Sequence, residues 1–160
     1  MSKVNFDKEI EIAIKAAKSA GQFLKKDKNN LNLQIKSNPK DTKLMADIES
    51  EKLILDILNS QSTYPILAEE GGKSSENLGE IFWVVDPLDG TANYNRNIPI
   101  CCVSIGLVKN MKPLIGVIFD FNNDDIFIGD NINKLARLNN KDIKVSDIQN
   151  RSDGVLITGL

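Results

Sequence analysis

The sequence predicts an α+β fold, with two helices packed on a largely antiparallel sheet. Three observations carry this. Segments 4–26 and 46–59 repeat apolar residues at spacings of three or four, the helical period. Short runs at 64–68, 81–85, 99–108, 113–121 and 126–128 are apolar and bounded by Gly, Pro, Asn or Asp, as strands are. Only Lys109-Asn110-Met111-Lys112 separates 99–108 from 113–121, which predicts an antiparallel hairpin.

In the first helix Phe6, Ile10, Ala13, Ala17, Gly21 and Leu24 form one stripe. Lys25, Lys26 and Lys28 suit the negative end of its dipole, and Asn29-Asn30 are expected to end it. Residues 31–35 (Leu-Asn-Leu-Gln-Ile) alternate as a half-buried strand, and 36–43, polar and holding Pro39, read as a mobile loop. The second helix, 46–59, takes Asp47 as N-cap and Ile48, Leu55 and Leu58, flanked by Ile54 and Ile57, as its buried side. Strand 64–68 then delivers Glu69-Glu70 directly before Gly71-Gly72, and 73–80 is a surface loop. Run 81–85 (Ile-Phe-Trp-Val-Val) predicts a strand buried on both faces, and 91–96 a short turn of helix. Asn122 to Asp125 turn the chain into 126–128, residues 129–150 read as irregular, and 155–158 as one more strand.

At 160 residues the chain is long enough for one domain with a real core. Twenty basic and twenty-two acidic residues give a net charge of -2, which argues against nucleic-acid or membrane binding driven by bulk charge. No apolar segment reaches the length of a membrane span, and the first residues lack a signal peptide's apolar core, so the expected location is cytoplasmic. Histidine is absent, which excludes Ser-His-Asp and Cys-His catalysis and histidine-built zinc sites. The only cysteines, Cys101 and Cys102, are adjacent in an apolar run and read as small buried residues. Chemistry must therefore rest on carboxylates, hydroxyls, lysines and a hard cation.

Glu69, Glu70, Asp86 and Asp89 all fall at strand ends. If those strands are neighbours, the four carboxylates meet at one edge, and oxygen-only ligands select magnesium, manganese or calcium. Pro87 stiffens the turn between the aspartates and lets the Leu88 carbonyl point inward. Gly90 allows close approach of the backbone to a ligand, and Thr91 opens a turn of helix whose N–H groups suit phosphate. Each part has a plainer reading alone. Asp-Pro-Leu-Asp-Gly is a good turn sequence, Glu69-Glu70 a solvated strand end, Lys36 a solvated loop charge and Asp47 a helix cap. The two acid pairs together, each after an apolar strand, favour a metal site.

The stretch Trp83-Val84-Val85-Asp86-Pro87-Leu88-Asp89-Gly90-Thr91 continues through Ala92-Asn93-Tyr94 and Pro99 to Val103-Ser104-Ile105-Gly106. With Glu69-Glu70, Lys36 and Asp47 upstream, it resembles the inositol monophosphatase family of magnesium-dependent, lithium-sensitive phosphatases. The resemblance implies an αβαβα fold of which residues 1–160 are the N-terminal, metal- and phosphate-binding domain. It implies two to three Mg2+ ions, a small phosphorylated substrate and a homodimer. Glu69 would bind the first metal and orient the attacking water, Asp86 would bridge two metals, Asp89 would hold the second, and the Leu88 carbonyl would complete the first. Thr91 would hydrogen-bond the water, with Asp47 behind it. Gly90 and Thr91 N–H groups would grip the phosphate, while Glu70 and Lys36 would surround a third, weaker metal.

The family's second domain, with a further metal-binding aspartate after a tryptophan, has no counterpart before Leu160, and Trp83 is the only tryptophan. The expectation is therefore a fragment of a phosphatase that hydrolyses a monoester such as inositol 1-phosphate, poorly active by itself. One alternative keeps the chemistry on a sugar bisphosphate or a 3′-phosphorylated nucleotide; another is a non-catalytic metal-binding or assembly module.

Overall fold

The computed structural model describes residues 5–31, 34–38 and 41–155, and of residues 29, 34–38, 41–43 and 151 the backbone alone. Helix α1 (Asp7–Lys26) carries Asp7 and Glu9 in its first turn and Lys25 and Lys26 in its last, complementing the dipole at both ends. Its buried stripe is mostly small: Ala13, Ala16, Ala17, Ala20 and Gly21, with Ile12 and Leu24. This lets the helix lie close against the sheet, since a Cβ on Gly21 would come within 2.5 Å of a Phe119 ring carbon. Ile10, placed on the stripe by its spacing, is only partly buried. Asn29 and Asn30 do not end the helical stretch; α2 (Lys28–Leu31) adds one more turn.

The next segment departs from the sequence reading. Strand β1 (Gln34–Asn38) pairs antiparallel with β2 (Asp41–Leu44), so the strand starts after residue 31 and much of the expected loop is a hairpin. A two-stranded ribbon satisfies its backbone hydrogen bonds between its own strands, and a hydrophobicity pattern does not report that. Residues 32, 33, 39 and 40, which also fall under those expectations, lie outside the described residues.

Helix α3 (Met45–Gln61) is capped by extended Leu44, whose N–H donates to Asp47 Oδ2 at 2.7 Å. Asp47 is thus the third residue of the helix, closing it from inside, and not its cap. The inward face carries Ala46, Asp47, Ser50, Glu51, Ile54 and Leu58. Ile48, expected to be buried, is 36% exposed. Ile54 and Leu58 are buried as expected, and counting apolar residues passed over the polar half of this face.

The strands that follow are β3 (Ile66–Ala68), β4 (Gly72–Lys73) and β5 (Ile81–Asp89), then after α4 (Thr91–Asn95), β6 (Cys102–Lys109), β7 (Lys112–Asp120), β8 (Asp125–Asp130), β9 (Leu135–Leu138) and β10 (Lys141–Asp142). Among the described residues they form one sheet in the order β10-β9-β8-β7-β6-β5-β3-β4. Every pairing is antiparallel except that of β3 with β5. The β6–β7 hairpin is as predicted, with Asn110 and Met111 both at positive φ in its turn. Residues 129–150 are not irregular throughout. They hold β9 and β10, short strands tied by the Arg137–Asp142 ion pair at 2.9 Å. Val155 ends the described residues outside any strand, and 156–160 lie beyond them.

Both long helices cover one face of the sheet. Trp83 and Val85 of β5, Val103, Ile105 and Leu107 of β6, and Ile115, Val117 and Phe119 of β7 form the core with them. Trp83 is fully buried with its Nε1–H on Ser62 Oγ at 2.9 Å. Alternation sends the residues between to the other face. There the pairing row runs Asp86, Ser104, Ile118, Phe127 across four strands. Val84 on that face is 37% exposed, so β5 is not buried on both sides along its length.

Candidate active site

The parallel β3–β5 pairing decides which acids meet. Ala68 lies opposite Val85, and the Glu69 N–H donates to the Val85 carbonyl at 3.1 Å. Glu69 and Asp86 therefore leave adjacent strands side by side. Glu69 is exposed as a residue, yet loss of water around its carboxyl and then the Asp86 charge push that carboxyl up to about 7, with Glu70 and Asp47 adding to the effect. Asp86 is raised too, by burial first and by the charges of Asp89 and Glu70, although Glu69 and the Leu88 N–H work against this. Two acids crowded in this way repel each other, the arrangement that a cation would relieve.

The stretch after Val85 is strand, not a free turn. Asp86 pairs with Ser104 and Asp89 with Cys102, so β5 carries one residue more than β6 between these points. This bulge holds Pro87, which has no N–H to leave unpaired. The Leu88 N–H donates to Asp86 Oδ1 at 3.1 Å. Gly90 then adopts φ +89°, and a Cβ there would stand 2.7 Å from the Ile100 carbonyl oxygen. That conformation and that space admit glycine.

Beyond Gly90 the chain enters α4. The Thr91 hydroxyl lies 2.8 Å from Asp47 Oδ1 and 3.1 Å from the Leu88 carbonyl oxygen. Asp47 joins two elements, taking the Leu44 N–H on one oxygen and the Thr91 hydroxyl on the other. Burial raises Asp47, the bonds from Leu44 and Thr91 oppose that, and Glu70 adds to the rise. Tyr94, fully buried, donates to the Leu24 carbonyl at 2.7 Å and anchors α4 on the end of α1.

Glu69, Glu70, Asp47, Asp86 and Asp89 thus act on one another electrostatically in one corner. Their oxygen donors suit a hard cation. The acids do not yet form a cage, for among the described residues no three stand at metal-ligand spacing. Lys36 lies on β1 opposite Lys43, and its side chain falls outside the described residues. Cys102, expected to be merely buried, is only partly so, and its Sγ is 3.8 Å from Asp89 Oδ2. Burial first, then Asp89 and Asp86, push its thiol up to about 12, which keeps it a neutral thiol. A cleft of about 520 Å³ opens beside Asp89 and Gly90, walled by Asn93, Cys102, Ile118 and Phe127.

One residue was missed. Glu51, 4% exposed, accepts the Glu70 N–H at 2.8 Å and the Gly71 N–H at 2.7 Å, one on each carboxylate oxygen. The available signal was its position four residues after Asp47, on the same helix face.

The inositol monophosphatase family model matches residues 5–160. The chain belongs to the inositol monophosphatase family. It is 37% identical over 153 residues to a Xylella fastidiosa protein named Nus factor SuhB, covering 94% of this chain and 54% of that one. It is 33% identical over 133 residues to the inositol-1-monophosphatase of Synechocystis, covering 79% and 44%. The solved inositol monophosphatase from Anabaena superposes with a TM-score of 0.76 at 37% identity, over 91% of this chain and 52% of that structure. The chain spans about half the length of these relatives.

Proposed function

We propose that residues 1–160 are the metal- and phosphate-binding part of a magnesium-dependent phosphatase acting on a phosphate monoester such as inositol 1-phosphate. The observation that carries this is the Glu69–Asp86 pair, two crowded acids with a raised proton affinity, next to the Thr91–Asp47 hydrogen bond. Glu69, Asp86, Asp89 and the Leu88 carbonyl would hold two Mg2+ ions, with Glu70 and Lys36 near a third. Magnesium bound there supplies Lewis acidity toward the phosphoryl group and an attacking water.

The remaining work falls to the chain's own groups. With its hydroxyl hydrogen directed at Asp47, Thr91 turns its oxygen lone pairs outward as an acceptor that orients a water. Asp47, fixed by Leu44, keeps that direction from rotating. Glu69, besides holding the metal, would help orient the attacking water. The N–H groups of Gly90 and Thr91 are assigned to the phosphate, on the family pattern. On the family pattern the ester is cleaved by direct attack of water, without a phosphoenzyme.

The test is phosphate release from inositol 1-phosphate, which should be slow for this chain alone, require Mg2+, fall with Li+ and vanish in Asp86→Asn. Release that persists in chelator sinks the reading. A homodimer in the cytoplasm belongs to the same proposal, and sedimentation tests the dimer. The name Nus factor, carried by the Xylella fastidiosa relative, favours a second reading, an assembly module rather than a catalyst. A chain that associates with a partner equally well as wild type and as Asp86→Asn, and releases no phosphate, supports it.

A further inference from the structure

We propose that Glu51 is a positioning residue that clamps the backbone carrying Glu69 and Glu70, so that Glu69 stays facing Asp86 despite their repulsion. The inference rests on the reading that Glu69 serves a metal. Three consecutive amides are fixed: the Glu69 N–H by the Val85 carbonyl, and the Glu70 and Gly71 N–H groups by the two oxygens of Glu51. With both oxygens engaged, Glu51 fills the role of an anchor and not of a ligand.

The chemistry is specific to a carboxylate. Two converging N–H donors need an acceptor on each branch of one side chain, and a glutamine would turn its NH2 toward one of them. Burying the Glu51 carboxylate costs solvation, and charge-assisted bonds from the two amides offset that cost. Position 71 is shaped to the clamp, since a Cβ on Gly71 would stand 2.9 Å from Glu51 Oε1. The consequence is a rigid path from α3 to the end of β3. Glu69 is denied the backbone motion by which it would swing away from Asp86 in the absence of a cation.

The experiment compares this chain with Glu51→Gln by amide hydrogen exchange without metal and by calorimetric titration with Mg2+. Exchange at Glu70 and Gly71 is expected to rise at least about tenfold, with α1 and β6 amides unchanged, and Mg2+ affinity to fall by about 10- to 100-fold, as for partners that orient a ligand. Unchanged exchange at the two amides overturns the clamp; so does raised exchange with unaltered Mg2+ affinity. If Glu51→Gln fails to fold, Gly71→Ala attacks the same contact from the other side and must give the same pair of changes. Absence of Mg2+ binding in the unsubstituted chain sinks the metal reading by itself, and the exchange rates then decide the clamp alone.

Discussion

Asp130 and Glu69 each stand at the end of a strand, and the two acids are treated in opposite ways. Asp130, closing β8, receives the Ile132 N–H at 2.8 Å, the Asn133 N–H at 3.0 Å and the Asn133 side-chain amide at 2.6 Å. Burial pushes its carboxyl up, but these donors outweigh that and hold it below the usual range. Glu69, following β3, meets Asp86, with Glu70 and Asp47 nearby, and is pushed up to about 7. A carboxylate given donors is a structural fastener; one given another carboxylate is poised for a proton or a cation. Glu51 and Asp47 belong with Asp130 in their bonding, yet they use it to brace the Glu69–Asp86 pair.

The largest test of this contrast is Asp86→Asn. Losing one of the facing acids should lower Mg2+ affinity by more than about 100-fold, beyond the usual effect of an orienting partner. It should also raise the metal-free Tm by relieving repulsion; a lower metal-free Tm breaks the comparison. Asp47→Ala comes next, because it strips the acceptor from both the Leu44 N–H and the Thr91 hydroxyl. A cost of about 1–3 kcal/mol is expected in denaturant unfolding, together with a fall in phosphate release. Gly90→Ala should cost about 1–2 kcal/mol for the left-handed backbone alone, with more from the Ile100 contact, and a neutral result in the same assay would count against the turn as described.

Asp130→Asn is a smaller change, about 1 kcal/mol, and should leave Mg2+ titration untouched. The pH dependence separates the two acids by sign. Asp130 has a lowered folded-state value, so its contribution is present above the ordinary carboxylate range and is lost as pH falls through the lowered value. Glu69 has a raised value, so between its ordinary 4.5 and about 7 the folded chain binds more protons than the unfolded one. Metal-free stability should therefore fall as pH rises across that window. Saturating Mg2+ should flatten the slope, and a metal-free Tm that climbs there contradicts the crowded pair.

The regions that burial shapes strongly were the legible ones. Helices α1 and α3, the β6–β7 hairpin and the run into Asp86 announce themselves by period and by turn residues. What escaped was polar. The β1–β2 ribbon and β10 rest on backbone pairing with little apolar signal, and the inward face of α3 holds Asp47, Ser50 and Glu51 where apolar residues were sought. Cys102 looked like filling because its neighbours are apolar, but its alternate position along β6 turns it toward Asp89.

By itself the sequence determined the inventory and the spacing: acids at strand ends, a proline and a glycine around Leu88, and no histidine to offer other chemistry. Those are local facts, set by which residues follow which. Only the tertiary structure decided that β3 runs parallel beside β5, which brings Glu69 to Asp86 across seventeen residues of chain. Likewise, α3 aims Asp47 at Thr91 and Glu51 at the Glu70 and Gly71 amides only once it packs on the sheet. Whether an acid becomes a fastener or a poised ligand depends on which partner faces it, and facing partners are a property of the fold.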